Sequence, residues 1–199
     1  MYKTLLIDPP WKLCTGGKKS LAVHTHYPVQ TKSEIIETIS SWLSDYKVAE
    51  EAHLYLWTIN SYSSGYSNGI IDAIDVCKTI GFKPITNLLW CKPQNNPTPY
   101  GLRGSEICIF ATRHRKGNHK EIMYGGTTND ICVAKPTLKK SLDWFVENRS
   151  IHSRKPHNFY QYIENRSRGP YLELYARNQR NGWTCLGNES NKYKKRDGI

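Results

Sequence analysis

No two cysteines in this chain stand at metal-binding spacing. The six, Cys14, Cys77, Cys91, Cys108, Cys132 and Cys185, never form a C-x-x-C, which argues against a zinc site. Most lie inside apolar runs, where a free thiol behaves as a small core residue. A reducing, cytoplasmic setting is therefore expected, and no metal. No apolar stretch approaches the roughly 18 residues that a membrane-spanning helix needs. The opening residues Met1-Tyr2-Lys3-Thr4 run straight into a short apolar strand without a small-residue cleavage site, unlike a secretory signal. No internal repeat is present, and the glycine-rich G-x-G-x-x-G fingerprint of dinucleotide-binding folds is missing as well.

What is present fits one full-sized domain. The chain has 199 residues, 38% of them hydrophobic, and its 6 Trp and 13 Tyr far outnumber its 4 Phe. Such a composition is globular, with its aromatic residues weighted towards those carrying a polar handle. A domain is expected over residues 1–190, with a basic polar tail at 191–199 that holds Lys192, Lys194, Lys195 and Arg196. The formal net charge is +11. A surplus of that size favours a polyanionic partner, nucleic acid being the commonest, although a basic surface can also serve solubility alone.

Short apolar runs rich in β-branched and aromatic residues predict strands at 4–7, 53–58, 85–91, 106–112, 131–134, 171–177 and 183–186. Helical spacing alternates with them. Thr31 and Glu34 stand at capping-box distance, ahead of Ile35, Ile36, Ile39, Trp42 and Leu43 on one face. Residues 70–80 repeat the pattern with Gly81 as the C-terminal cap, and residues 156–165 place Phe159, Tyr160 and Ile163 on one stripe. Strands alternating with helices predict an α/β domain with a largely parallel sheet. Three long stretches, 12–28, 93–104 and 114–129, read as loops and hence as candidate functional segments.

The sharpest feature is Asp8-Pro9-Pro10-Trp11, directly after the first strand. Two prolines cannot continue a ladder, so the chain must turn out at the sheet's carboxyl edge. Ligands bind at that edge in open α/β sheets. An acid in such a place suits one demanding reaction, methylation of an aromatic amine. The amino nitrogen of adenine shares its lone pair with the ring and is a poor nucleophile. Acceptors aimed at its N–H bonds, namely the Asp8 carboxylate and a carbonyl of Pro9 or Pro10, would localise that pair and stabilise developing positive charge. Trp11 would offer a face on which an extruded base stacks. The plainer alternative is an Asp-Pro turn beside a core tryptophan.

This motif resembles the catalytic signature of amino-directed DNA and RNA methyltransferases. The chain as a whole is similar to the MT-A family, typified by the catalytic subunit of the messenger-RNA adenosine methyltransferase and including bacterial and phage DNA enzymes. Further segments match in order: 53–58 (HLYLWT), 89–92 (LWCK), 106–110 (EICIF), 153–156 (SRKP), 173–177 (ELYAR) and 183–189 (WTCLGNE). The resemblance implies a Rossmann-like fold dependent on S-adenosylmethionine, in which the catalytic motif precedes the cofactor motif. It implies that Asp8, Lys155, Tyr175, Arg177, Asn188 and Glu189 line the cofactor pocket. On the target side it places Tyr27 and Glu106, and Arg103 lies just ahead of Glu106. Lys18 and Lys19, in the loop after the motif, would meet phosphates. For Glu106 a salt bridge at the start of a strand is an equal alternative. Arg154 replaces a histidine frequent in the family, Asn178-Gln179-Arg180-Asn181 replaces a His-Asn pair, and residues 135–150 form an insertion.

The implied activity is methyl transfer to the N6 amino group of adenine. DNA is favoured over RNA because nothing resembles a zinc knuckle or other RNA module. The other readings are an RNA adenosine methyltransferase, a cytosine-N4 enzyme, whose signature more often opens with Ser, and a non-catalytic nucleic-acid-binding subunit of the same fold. The setting would be a bacterial or phage-infected cytoplasm. A homodimer or a paralogous partner subunit is expected because relatives pair. The charge predicts nucleic-acid binding that weakens steeply as salt rises, and Lys18→Ala/Lys19→Ala should flatten the slope. Fluorescence anisotropy across a salt series measures both, and an unchanged slope removes these two lysines from the phosphate contacts.

Overall fold

The computed structural model describes residues 1–12, 28–60, 67–98, 101–114, 155 and 158–187, with only the backbone at 91–98 and 101–103. The expected strand at 131–134, the insertion at 135–150, most of two long loops and the basic tail lie outside the described residues. Six strands form one sheet: β1 (Tyr2–Ile7), β2 (Val48–Ile59), β3 (Lys83–Thr98), β4 (Gly101–Arg113), β5 (Tyr171–Leu174) and β6 (Trp183–Leu186), in the order β3-β4-β2-β1-β5-β6. The helices are α1 (Lys32–Asp45), α2 (Ile70–Thr79) and α3 (Asn158–Arg166).

β1 runs parallel to both β2 and β5, and β5 parallel to β6. β4 is antiparallel to β2 and to β3. Five of these six strands therefore run in one direction and β4 alone is reversed, so the expected largely parallel sheet is found, with one antiparallel strand within it. A correction concerns residues 93–104, whose prolines suggested a loop. The strands of the β3–β4 hairpin instead run through most of this stretch, with a register shift between Cys91 and Asn96. Among the described residues β3 is the outermost strand, where prolines forfeit no bond on the side away from β4, and the shift absorbs the irregularity.

Successive side chains of a strand point to opposite faces, and β1 and β2 are apolar on both. Leu5, Ile7, Leu54, Leu56, Leu172 and Leu174 share one buried cluster with Ile35 and Ile39 of α1 and Ala73, Val76 and Cys77 of α2. Leu6, Tyr55, Trp57, Trp90 and Phe110 form the other, with Phe159, Tyr162 and Ile163 of α3. Strands buried on both faces are nearly continuous apolar runs, as in β2.

Local signals agree with these boundaries. Thr31 and Glu34 make the reciprocal capping box that opens α1. At the end of α2, the Gly81 N–H donates to the Lys78 carbonyl and the Phe82 N–H to that of Cys77. This is the Schellman arrangement, and it needs the φ of 85° that Gly81 supplies.

Phe159 is the pivot of the α3 face. It is fully buried, with its ring centroid 4.7 Å from that of Trp57 and 6.0 Å from that of Tyr55. Phe159→Ala should cost about 3–5 kcal/mol of stability, read by urea unfolding. A loss below ~1 kcal/mol would mean that α3 is not held to the sheet by this ring.

Candidate active site

The site lies where β1 and β5 end side by side. Ile7 pairs with Leu174, so Asp8 and Tyr175 are the first residues beyond neighbouring strand ends. The connection from β1 passes through α1 to β2 on one side, while β5 and β6 extend the sheet on the other. That reversal opens the crevice in which α/β folds bind ligands.

The turn after β1 is tightly bonded. The Trp11 N–H donates to the Pro9 carbonyl at 2.9 Å, the Gln30 N–H to the Pro10 carbonyl at 2.8 Å, and the Lys12 N–H to the Gln30 carbonyl at 2.8 Å. Each proline carbonyl keeps a second lone pair for another donor. Trp11 departs from the expectation of an open stacking face. Its ring is 6% exposed, and its indole N–H donates to the Trp57 carbonyl at 2.9 Å. The physical reason is local: the short turn folds the ring back onto the apolar α1 face, where it anchors the motif rather than presenting a surface.

Lys155, three residues ahead of α3, reaches the same edge. Its Nζ lies 2.9 Å from Asp8 Oδ1 and 3.1 Å from Glu106 Oε2. It also lies 5.2 Å from the centre of the Trp57 ring. β4 is antiparallel to β2, and Glu106 faces Ile59 at the carboxyl end of β2, which brings it into reach. Burial works against the charge on Lys155, but the carboxylates of Asp8 and Glu106 outweigh it and raise its pKa above the ordinary value. The Arg177 guanidinium opposes them through its like charge, so the site gathers two carboxylates and two cations. Glu106 thus makes the salt bridge of the plainer of its two sequence readings.

Tyr175 is the first residue beyond β5. Its backbone φ is 60°, its hydroxyl donates to Gln30 Oε1 at 2.7 Å, and its ring meets Trp42 of α1 edge-on. The left-handed turn ends β5 three residues early and swings the side chain into the α1 layer. Ala176 is buried, and its N–H donates to the Leu186 carbonyl at 2.8 Å. At Gly187 a Cβ would collide with the Ala176 carbonyl and stand 2.7 Å from its nitrogen. This contact brings the end of β6 against the segment that carries Arg177, which is half-buried. Asn188 and Glu189 follow directly but lie outside the described residues, as do Tyr27, Lys18 and Lys19. For Arg103 only the backbone is described, opposite Asn96. Among the described residues no group of His, Cys, Asp or Glu could hold a metal ion, and no helix is long and apolar enough to cross a membrane.

Sequence reasoning missed Gln30, which carried no motif, and gave Glu173 no role, although an acid inside the apolar run Tyr171-Leu172-Glu173-Leu174 was a visible signal. Glu173 is 7% exposed and accepts from the Tyr160 hydroxyl at 2.7 Å. Burial pushes its pKa up to about 7, against the opposing pull of the Tyr160 hydrogen bond and of Arg180. Between the ordinary value of 4.5 and about 7, the folded form holds a proton that the unfolded form has lost. The group's contribution to stability therefore falls as pH rises through that window and levels off above it. Glu173→Gln should gain on the parent between pH 5 and 8, by on the order of 1–3 kcal/mol in urea unfolding. A difference that stays constant with pH would show that the carboxyl titrates alike in both states.

Comparison with known proteins bears on the whole of this arrangement. Comparison with the curated proteins finds no match. The MT-A70 family, whose members are S-adenosylmethionine-dependent methyltransferases of Rossmann-like fold, matches residues 2–189. That span takes in all six strands, the Asp8 turn and the segments that follow β5 and β6, and the chain belongs to the MT-A70 family.

Proposed function

We propose that this protein transfers a methyl group from S-adenosylmethionine to the exocyclic N6 amino group of adenine in nucleic acid, with DNA as the substrate. The observation that carries this reading is the Asp8 carboxylate at the exit of β1, 2.9 Å from the Lys155 ammonium. A carboxylate beside an ammonium complements the amino-acid end of methionine, which carries the opposite pair. When bound, the cofactor supplies an electrophilic methyl group.

The chain's own residues then have separable tasks. Asp8 accepts from an N–H of the target amine, with a proline carbonyl of the turn as the second acceptor. The nitrogen's lone pair is drawn out of the ring towards the methyl carbon. As the C–N bond formed, the methyl–sulfur bond would break with its electron pair left on a neutral thioether; the nitrogen would become cationic, and the nearby Asp8 carboxylate would stabilise it until its proton passed to water. Lys155 holds Asp8 from one side and is itself held charged by Glu106. Arg177, Asn188 and Glu189 are assigned to the cofactor, and Lys18, Lys19, Tyr27 and Arg103 to the nucleic acid, whose phosphates the charge of +11 attracts. Asp8 in place of the serine more usual for cytosine-N4 enzymes favours adenine, and an intact acid has no use in a purely binding subunit.

The reading is tested with labelled S-adenosylmethionine and unmodified DNA or RNA, identifying the product nucleoside by mass spectrometry. N6-methyladenine in DNA is expected, and N4-methylcytosine or the absence of any product refutes the assignment. Asp8→Asn keeps the shape but loses the charge, and should lower the rate about 100-fold or more with nucleic-acid binding retained. A folded Asp8→Asn protein working near the parental rate would move the active site elsewhere.

A further inference from the structure

Gln30 immediately precedes the cap of α1, and no motif or charge marks it out, yet it joins three parts of the molecule. Its backbone brackets Trp11, donating to the Pro10 carbonyl and accepting from the Lys12 N–H, both at 2.8 Å. Its side-chain oxygen accepts from the Tyr175 hydroxyl at 2.7 Å, and its amide donates to Thr38 Oγ1 at 3.1 Å. Thr38 in turn donates to the Glu34 carbonyl within α1. One residue therefore bonds to the catalytic turn, to the end of β5 and to the first helix.

Tyr175 shows that this arrangement is held under strain. Among the described residues it is the non-glycine with positive φ, at 60°. A bulky side chain takes that conformation only where its surroundings over-determine it. The surroundings here are the Gln30 hydrogen bond and the edge contact with Trp42, 4.9 Å between ring centres. The strained residue follows Leu174 as Asp8 follows Ile7, and Ile7 and Leu174 are paired. A tether that stores strain next to a reacting group is suited to fixing its position.

We propose that Gln30 is a positioning residue for methyl transfer: its side chain, held by Tyr175, locks the Asp8–Trp11 turn against the end of β5. The proposal rests on the methyltransferase reading above. Gln30 itself touches no reactant, and its effect passes through the placement of the turn. Displacing a reacting group by a fraction of an ångström lowers the rate while leaving ground-state binding nearly intact.

The test compares Gln30→Met, Tyr175→Phe and the double variant in the full chain. Each single variant should lower kcat about tenfold, with KM for S-adenosylmethionine within about twofold of the parent. The double variant should be no slower than the slower single, because both break the same bond. Gln30→Glu keeps an acceptor for the Tyr175 hydroxyl and should recover most of the rate. Parental kcat in both single variants, multiplicative losses in the double, or an effect confined to KM would overturn the proposal. Amide hydrogen exchange at Lys12 and Gln30, followed by NMR, reads the tether without turnover. Faster exchange at both amides in each single variant, at unchanged melting temperature, supports the positioning role even if the parent methylates nothing. Unchanged protection overturns it whatever the activity.

Discussion

Pro9 and Pro10 impose the constraint from which the rest follows. β1 lies inside the sheet with a parallel neighbour on each side, where every further residue would have to supply ladder bonds. Proline has no N–H to give, so the chain leaves at Asp8 and turns at once. Ile7 and Leu174 are paired, so the exit from β1 and the exit from β5 fall next to each other. The Asp8 turn and the segment that follows β5 are thereby neighbours in space, although more than 160 residues separate them in the chain.

The second determinant is aromatic packing beneath the site. Trp57, Tyr55 and Phe159 form a buried layer that seats α3 on the sheet. Lys155 stands just ahead of that helix, and the layer determines where its ammonium can reach. One cation then serves two carboxylates, in a place too enclosed for either to be left alone at low cost. The packing of the core and the electrostatics of the site are in this sense a single arrangement. Glu173, buried under the same helix and bonded to Tyr160, is a further tie between the two.

Much of the fold was legible in the residues. Runs such as His53 to Thr58 announce a strand buried on both faces, because only such a strand can be apolar at successive positions. Thr31, Glu34 and Gly81 mark helix ends by local bonds that need no tertiary partner. Asp8-Pro9-Pro10-Trp11 marks its own exit from the sheet. The prolines of residues 93–104 misled for an equally physical reason: a proline forbids a ladder bond only if the strand has a neighbour on that side, and strand order is not local information.

The sequence by itself determined the alternation of elements, the caps, the position of the motif at a strand's carboxyl end, and the residue types available for the chemistry. Tertiary structure alone decided which groups meet. It turned Trp11 into the core, gave the Tyr175 side chain to α1 through a left-handed turn, and set Lys155 between Asp8 and Glu106. It also made Gln30, unmarked in the sequence, the junction of three segments. Periodicity reveals which face of an element is buried, because that depends on the residue's own chain. It does not reveal what lies across from that face, because the partner is chosen by sheet order and by the packing of helices from distant parts of the chain.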